Sequence, residues 1–206
     1  ASYGTAFKAP SFNELYYPNS GNPNLQPEKS ASSELGLRGN SDLSWSASLF
    51  NTNVEALIGF DSITWSPVNI DEAQIRGLEL SASHQFDALT LSLWGTLLDT
   101  ENLSAAYSGN RLPRRGQQSA RVDGDYQWGI WSLGASWLLE GERYDNQANT
   151  VRMAGYGLLD LRGSVELTSA WQLQLRIGNL FDKAYETVAW YNQPERNATL
   201  TLSYRP

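Results

Sequence analysis

The sequence predicts an all-β fold: an antiparallel transmembrane β-barrel, of which about ten strands lie in this chain. Three regularities support this prediction. Apolar and polar residues alternate through ten segments, the connections between segments are alternately long and short, and charged residues in the middles of the segments keep to the polar parity. Because successive side chains of a strand point to opposite faces, each segment has one apolar and one polar face.

The composition is compatible with such a barrel and excludes several other classes of protein. The 206 residues include 8 Trp and 10 Tyr but no Cys, and their net charge is -7. The lack of Cys excludes disulfides and thiolate metal sites, and the negative charge argues against a nucleic-acid partner. No apolar run is long enough for a transmembrane helix, but barrel strands are short and only half apolar.

The elements follow from the alternation and from the residues between the segments. The first gap, residues 8–28, holds four Pro and is predicted to be a long loop, because Pro cannot donate to a strand ladder. Further long loops are predicted at 60–67, 99–113 and 144–153, and another begins at 179. The predicted strands are residues 1–7, 30–39, 43–59, 69–86, 89–97, 116–127, 131–140, 159–167, 171–177 and 198–204.

The short connections carry turn residues, such as Gly39-Asn40-Ser41-Asp42 and Trp128-Gly129, and aromatic residues of the apolar parity gather beside them. A soluble sandwich has little reason to keep such a belt at one end. A membrane barrel places an aromatic girdle at the lipid interface, and its short turns are periplasmic. The predicted girdle residues are Trp45, Phe86, Tyr126, Trp131, Trp171 and Tyr204.

Three segments resemble motifs of the TonB-dependent outer-membrane receptors, in the order typical of the C-terminal half of that family. They are Asn22-Pro23-Asn24-Leu25-Gln26-Pro27-Glu28, Ile75-Arg76-Gly77-Leu78-Glu79 and Asn179-Leu180-Phe181-Asp182-Lys183-Ala184-Tyr185. Within the family, Leu112-Pro113-Arg114-Arg115-Gly116 and residues 179–188 are similar to the cobalamin-transporting members. We expect the first motif to stiffen a loop, Gly77 to admit a close neighbour, and the third motif to shape the last extracellular loop.

The resemblance implies a 22-stranded barrel filled by an N-terminal plug. Residues 1–206 would be the C-terminal part of that barrel, with the plug and the early strands absent. It implies a monomeric protein of the bacterial outer membrane, in contact with lipid and lipopolysaccharide, that imports cobalamin or a related corrinoid through TonB acting on the plug. It implies no enzymatic activity and no cofactor in this chain; calcium would bind barrel loops outside it. A siderophore or haem receptor of the same family, or a passive porin-like barrel, is the alternative.

Four candidate ligand contacts lie in the third and fourth long loops or at their ends. The resemblance makes Arg114 a ligand contact, with Arg115 beside it, because a guanidinium can donate to amides or to a phosphate. The alternative is an interfacial Arg that meets lipopolysaccharide phosphate or water. Tyr144 and Asn146 lie in the fourth loop, which corresponds to another ligand-contacting loop of the family but is shorter.

Aromatic residues of the first and last loops are further candidates. Tyr16, Tyr17, Trp190 and Tyr191 could form a stacking surface for a large planar ligand, or they could simply pack among the loops. His84, the only His, has the lipid-facing parity and is predicted to be an interface residue.

A ten-stranded barrel enzyme is a further alternative, and it would need a carboxylate and a His at the extracellular rim. The lone His lies at the opposite end. The closely spaced carboxylates are predicted to share one strand face and line a wet lumen, rather than to straddle a substrate. These pairs are Asp123 with Asp125 and Glu140 with Glu142.

Overall fold

A ten-stranded antiparallel sheet forms most of the fold, and it is a partial barrel. The computed structural model describes residues 1–61 and 63–205, so Ser62 of the second predicted loop and the terminal Pro206 lie outside the described part. Two small hairpins and one short helix lie in the loops. The elements are β1 (Ser2–Lys8), α1 (Phe12–Tyr16), β2 (Glu28–Asn40), β3 (Leu43–Asp61), β4 (Ser66–Phe86), β5 (Leu89–Asn102), β6 (Gln118–Trp128), β7 (Trp131–Glu140), β8 (Arg143–Tyr144), β9 (Arg152–Met153), β10 (Tyr156–Glu166), β11 (Trp171–Gly178), β12 (Glu186–Val188), β13 (Tyr191–Asn192) and β14 (Asn197–Tyr204).

The sheet order is β1-β2-β3-β4-β5-β6-β7-β10-β11-β14, so each sheet strand pairs with the next sheet strand along the chain. The sheet ladders keep a constant register from end to end. The predicted fold class, with ten antiparallel strands, is confirmed. The alternation of long and short connections is wrong at the second predicted loop, because residues 62–65 between β3 and β4 are as few as residues 167–170 between β10 and β11. Within the described part of the chain, no helix is long and apolar enough to cross a membrane.

The strands β3, β4 and β5 extend past the ends that the alternation predicted. On their outward face an apolar row is followed by a row of polar and charged residues, while the backbone pairing continues through both. Hydropathy alternates only where the outward face meets lipid. The predicted β5 therefore ends at Leu97, before Asp99 of the polar row, whereas the predicted β3 and β4 already include Asn51 and Arg76 and end only two or three residues early. The two rows are Leu49-Leu78-Leu97 and Asn51-Arg76-Asp99.

The outward face carries exposed apolar side chains and, beside the short turns, the predicted aromatic girdle. All six girdle residues are exposed large side chains. The rings of Trp171 and Tyr204 lie 4.7 Å apart across the β11–β14 ladder. His84 also lies beside a short turn, with its ring 4.1 Å from that of Phe86 and its Nδ1 2.6 Å from the carbonyl oxygen of Asp42.

The opposite face of β6, β7 and β10 carries ion pairs. Arg121 Nε donates to Asp123 Oδ2 at 2.7 Å, and Arg162 Nη2 donates to Asp125 Oδ2 at 2.5 Å. A Cβ at Gly134 would lie 2.5 Å from both Arg162 Nε and Asp125 Oδ1, so a glycine leaves the space that this ion pair occupies. Asp123 and Asp125 therefore lie on the polar inner face, as predicted.

The extracellular half of the inner face is apolar, which the alternation did not predict. Val54, Leu57, Ile70 and Ala73 of β3 and β4 form a buried cluster, and Leu112 from the third loop is fully buried against it. The loop removes this part of the wall from water, so apolar residues there contribute to stability as in a soluble core.

Gly77 marks the boundary between the polar and apolar halves of the inner face. A Cβ at this position would lie 2.7 Å from both the Phe50 ring and the Leu97 carbonyl oxygen. The expectation that Gly77 admits a close neighbour is confirmed, and Phe50 is that neighbour. Glu79, two residues further on, forms no ion pair with any residue in the described ranges.

Replacing Gly77 by Ala should destabilise the barrel, because the new methyl group would overlap a ring and a backbone carbonyl. We expect a loss of about 1–3 kcal/mol, typical of overpacking. Urea unfolding of the full-length receptor in detergent measures it.

Gly95→Ala is the matched control, because a Cβ there would lie no closer than 3.9 Å to its nearest neighbour, the Ser119 carbonyl oxygen. Equal unfolding midpoints for the two variants would contradict the steric explanation.

Candidate functional site

The extracellular loops line a cavity of about 320 Å³ that is open to solvent, the loop cavity. The second, third, fourth and last long loops contribute to its wall. Its lining contains four aromatic side chains and two charged ones, together with aliphatic and amide groups. The lining residues are Phe60, Trp65, Arg114, Asp145, Thr187, Val188, Ala189, Trp190, Tyr191 and Gln193.

The two charged residues of the loop cavity form an ion pair. Arg114 Nε donates to Asp145 Oδ1 at 2.9 Å, and Nη2 donates to Oδ2 at 3.3 Å. The same Oδ1 accepts the backbone N–H of Ala189 at 3.2 Å, so one carboxylate joins the third, fourth and last loops. The Asp145 side chain is only 2% exposed, whereas that of Arg114 is 32% exposed. Because an unpaired buried carboxylate is costly, the loops and the ion pair stabilise one another.

The backbone and one ring hold Arg114 in place as well. Its φ of 60° lies in the left-handed region, and its N–H donates to the Tyr144 carbonyl at 2.6 Å. Its guanidinium carbon lies 5.2 Å from the Phe60 ring centroid, which is a cation–π distance. The guanidinium is therefore fixed on one side by a carboxylate and lies over an aromatic ring.

Asn149 clamps the third loop to the fourth. Its Oδ1 accepts the Arg111 N–H at 2.8 Å, and its Nδ2 donates to the Arg111 carbonyl at 2.9 Å. Asn110 Nδ2 adds a bond to the Gln147 carbonyl at 2.9 Å. A side-chain amide here replaces the pair of backbone groups that a neighbouring strand would present.

The first motif anchors the first loop to the start of β4. Asn69 Oδ1 accepts the Gln26 N–H at 2.8 Å, and Asn69 Nδ2 donates to the Gln26 carbonyl at 3.0 Å. Asn22 Nδ2 donates to the Pro67 carbonyl at 3.0 Å, and Leu25 between them is buried. These contacts agree with the expectation of a stiff loop.

Helix α1 in the first loop was not predicted, although its signal was present. Ser11 and Glu14 form a capping box, in which each side chain accepts the backbone N–H of the other residue. A Ser followed three residues later by Glu is the sequence signature of this cap.

The third motif closes the base of the last loop, as expected. Asn179 Oδ1 accepts the Lys183 N–H and Nδ2 donates to the Lys183 carbonyl, both at 2.9 Å. The Asn179 N–H donates to Asp160 Oδ1 at 2.9 Å, which ties the turn to β10. Asp182 Oδ1 accepts the Arg196 N–H at 2.8 Å, so the two ends of the loop meet.

Three of the predicted contact residues line the loop cavity together: Arg114, Trp190 and Tyr191. Arg115 does not line it; this side chain is half-buried, and burial lowers the pKa of its guanidinium. The Tyr144 ring packs against Arg111, whose guanidinium carbon lies 5.8 Å from the centroid of the Tyr144 ring.

The other predicted contacts lie away from the lining. The Asn146 amide is used within its own loop, where Oδ1 accepts the Thr150 N–H at 3.0 Å and Nδ2 donates to Thr150 Oγ1 at 2.7 Å. Tyr16 and Tyr17 are exposed at the end of α1, with Tyr16 packed on Phe12 at 5.2 Å between ring centroids. As ligand contacts, all eight residues remain predictions.

Sequence reasoning missed Asp145, Phe60, Trp65 and Gln193. Phe60 and Trp65 could have been found by the criterion applied to the other loops, since both are aromatic residues of the predicted second loop, residues 60–67, although Phe60 lies at the end of β3. Asp145 lies between two residues that were singled out, but its partner is in another loop. Because loop sequences have no periodicity, no sequence pattern indicates that Asp145 and Arg114 are in contact.

One predicted carboxylate pair is wrong. Glu142 lies beyond the end of β7, where its carboxylate pairs with Arg152 and with Arg111, so it does not share a strand face with Glu140. The hydrogen bond from Arg152 lowers the pKa of Glu142. In residues 1–61 and 63–205, no group of three or more His, Cys, Asp or Glu is placed to hold a metal ion.

Residues 1–180 match the model of the family described as TonB dependent receptor-like, beta-barrel. The chain belongs to this family, whose members are receptors of the bacterial outer membrane. The predicted family is therefore confirmed, and the relatives are transporters and receptors rather than enzymes.

Two curated relatives match the whole chain. It is 37% identical to the vitamin B12 transporter BtuB of Photobacterium profundum and 34% identical to that of Vibrio vulnificus. All of this chain is covered in both comparisons, against 35% and 34% of the relatives. The chain thus spans about a third of the length of these proteins.

Solved structures of the same fold include transporters with other cargo. The siderophore receptor PiuA from Acinetobacter baumannii has a TM-score of 0.80 at 23% identity, covering 98% of this chain and 33% of that one. The copper transporter OprC has a TM-score of 0.78 at 24% identity, covering 98% and 36%. At these identities the likeness shows the fold alone.

Replacing Asn149 by Gly should release the third loop. The change removes both side-chain bonds to Arg111 but suits the left-handed backbone, where φ is 54°. We expect trypsin to cleave after Arg111, Arg114 or Arg115 roughly tenfold faster, since each hydrogen bond contributes about 0.5–1.5 kcal/mol. A trypsin time course on the full-length receptor in outer membranes measures the rate.

Ala148→Gly is the control, because it adds a glycine to the same loop without removing a side-chain hydrogen bond. Equal cleavage rates for the two variants would show that the hydrogen bonds from Asn149 to Arg111 do not hold the third loop in place.

Proposed function

We propose that the receptor containing this barrel segment takes up cobalamin or a related corrinoid across the outer membrane. The observation that carries the proposal is the identity of 37% and 34%, over this whole chain, with two vitamin B12 transporters. The loop cavity is proposed as part of the ligand site. Energy would come from TonB, acting through a plug outside residues 1–206.

The chemistry of the loop cavity supports a ligand that is large, partly planar and rich in polar side groups. Four aromatic rings offer apolar faces, and Arg114 and Gln193 offer hydrogen-bond donors. A volume of about 320 Å³ is at the small end of ligand pockets, so it would hold one edge of a corrinoid. The exposed rings of Trp190 and Tyr191 would cover part of the rest.

A siderophore receptor is the second candidate, because the fold is shared with the siderophore receptor PiuA at a TM-score of 0.80. Equilibrium binding of radiolabelled cyanocobalamin to the full-length receptor in outer membranes separates the two. Saturable cyanocobalamin binding is the expected result. No such binding, together with tight binding of a ferric siderophore, would contradict the ligand assignment. Steady ion conductance in a planar bilayer would favour a passive porin instead.

Replacing Trp190 by Ala should weaken cyanocobalamin binding by roughly tenfold, which corresponds to about 1.4 kcal/mol of lost stacking. The side chain is 69% exposed, so its removal leaves little unfilled space in the folded protein. The dissociation constant of the full-length variant measures the effect.

Trp128→Ala is the matched control, because this side chain is 67% exposed but lies beside a periplasmic turn. Equal loss of affinity in both variants would show that Trp190 has no local role.

A further inference from the structure

We infer that Asp145 is a specificity residue of the loop cavity: it neutralises and positions Arg114, so that the cavity selects uncharged, amide-bearing ligands over anionic ones. The inference rests on the proposed function, in that it treats the loop cavity as the ligand site. It adds the residue that sets the charge selectivity of the cavity, which neither the fold nor the resemblance defines.

The charges that line the loop cavity cancel. Its lining contains one cationic and one anionic side chain, Arg114 and Asp145, and these two form an ion pair with two hydrogen bonds. The formal charge of the lining is therefore zero. An arginine that has no carboxylate partner would attract an anion, whereas this one already has its counter-charge at 2.9 Å.

Arg114 keeps donors that a ligand can use. Both Nε and Nη2 of Arg114 donate to Asp145, and Nη1 has no hydrogen-bond partner among the described residues. A guanidinium has five N–H groups, so both N–H groups of Nη1 and the second N–H of Nη2 remain for a ligand. They suit amide carbonyls, and an anion gains no excess positive charge there, because the Asp145 carboxylate already neutralises it.

The Arg114–Asp145 ion pair is held in place by the surrounding backbone. Asp145 is buried, and its Oδ1 also accepts the Ala189 N–H, while the Arg114 N–H is held by the Tyr144 carbonyl. Exchanging Asp145 for a ligand anion would leave a buried carboxylate without its partner, which is strongly unfavourable. An anionic ligand therefore gains little from Arg114.

The charges behind the cavity wall do not alter this balance. Arg143 Nη2 donates to the Glu186 carbonyl at 2.5 Å, and the Glu186 carboxylate accepts the Trp190 N–H at 2.9 Å. These two residues bring one further positive and one further negative charge. The net charge of this chain is -7, so residues 1–206 as a whole add no excess positive charge that would attract anions.

The test uses the full-length receptor and two kinds of corrinoid. One is cyanocobalamin; the others are its separate monocarboxylic acid isomers, in each of which one side-chain amide is hydrolysed to a carboxylate. The measured quantity is the ratio of the dissociation constant of each acid to that of cyanocobalamin. We expect the wild type to prefer cyanocobalamin to at least one isomer.

The two charge variants should move this ratio in opposite directions. Asp145→Asn leaves Arg114 with a net positive charge and should favour the acid by roughly fivefold to tenfold relative to wild type, as one added charge near a partly screened carboxylate would. Arg114→Gln leaves a net negative charge and should disfavour the acid. The direction in which either variant changes the ratio of dissociation constants tests the inference. If one variant does not fold, the other is therefore sufficient.

Glu142→Gln is the matched control. It removes the same charge from the same loop, but Glu142 lies outside the lining and pairs with Arg152 and Arg111. Its ratio should equal that of the wild type. An unchanged ratio in Asp145→Asn, an equal change in Glu142→Gln, or a shift of the same sign in both charge variants would overturn the inference.

Failure of the proposed function gives a different result, in which the wild type binds none of the corrinoids. The charge inference is then tested with an uncharged ferric trihydroxamate and an anionic ferric tris-catecholate. Preference for the uncharged chelate supports the inference, and preference for the anionic one overturns it.

Discussion

A strand that crosses hydrocarbon has no water to bond, so its N–H and C=O groups must pair within the sheet. Constant register in every ladder of the ten-stranded sheet meets this constraint. Once the ladders are fixed, parity decides the face of each side chain, except where the β3–β4 ladder leaves Ala56 and Asp71 unpaired and Leu57 joins Val54 in the inner cluster. The exposed apolar rows, the aromatic girdle beside the short turns and the inner ion pairs are all consequences of that parity.

Beyond the lipid boundary, in the loops, backbone N–H and C=O groups form hydrogen bonds with side chains instead of with a neighbouring strand. Asn69, Asn149 and Asn179 each accept one backbone N–H and donate to one backbone carbonyl of the same residue, as a paired strand would. Asp145 joins three loops through one carboxylate. The walls of the loop cavity are therefore held in place before a ligand arrives, which reduces the ordering cost of binding.

The sequence predicted the structure well where side chains must alternate between the lipid and the lumen. Alternation defined all ten sheet strands and the outward placement of Trp171 and Tyr204, and the motifs defined the family. The alternation was insufficient where this constraint changes: β5 continues past Leu97, where its alternation ends, and Leu112 covers an inner face that alternation suggested was polar. Arg114 was predicted through a motif, but Asp145 depends on a contact between two loops that no pattern encodes.

The central claim is that the loop cavity built around Arg114 and Asp145 is part of a corrinoid site. A crystal structure of the full-length receptor with bound cyanocobalamin tests it most directly. We predict a side-chain amide of the corrinoid within hydrogen-bond distance of Arg114, with the Arg114–Asp145 pair intact and Trp190 against the ligand. Cyanocobalamin bound in the receptor without contact to either Arg114 or Trp190 would contradict the claim.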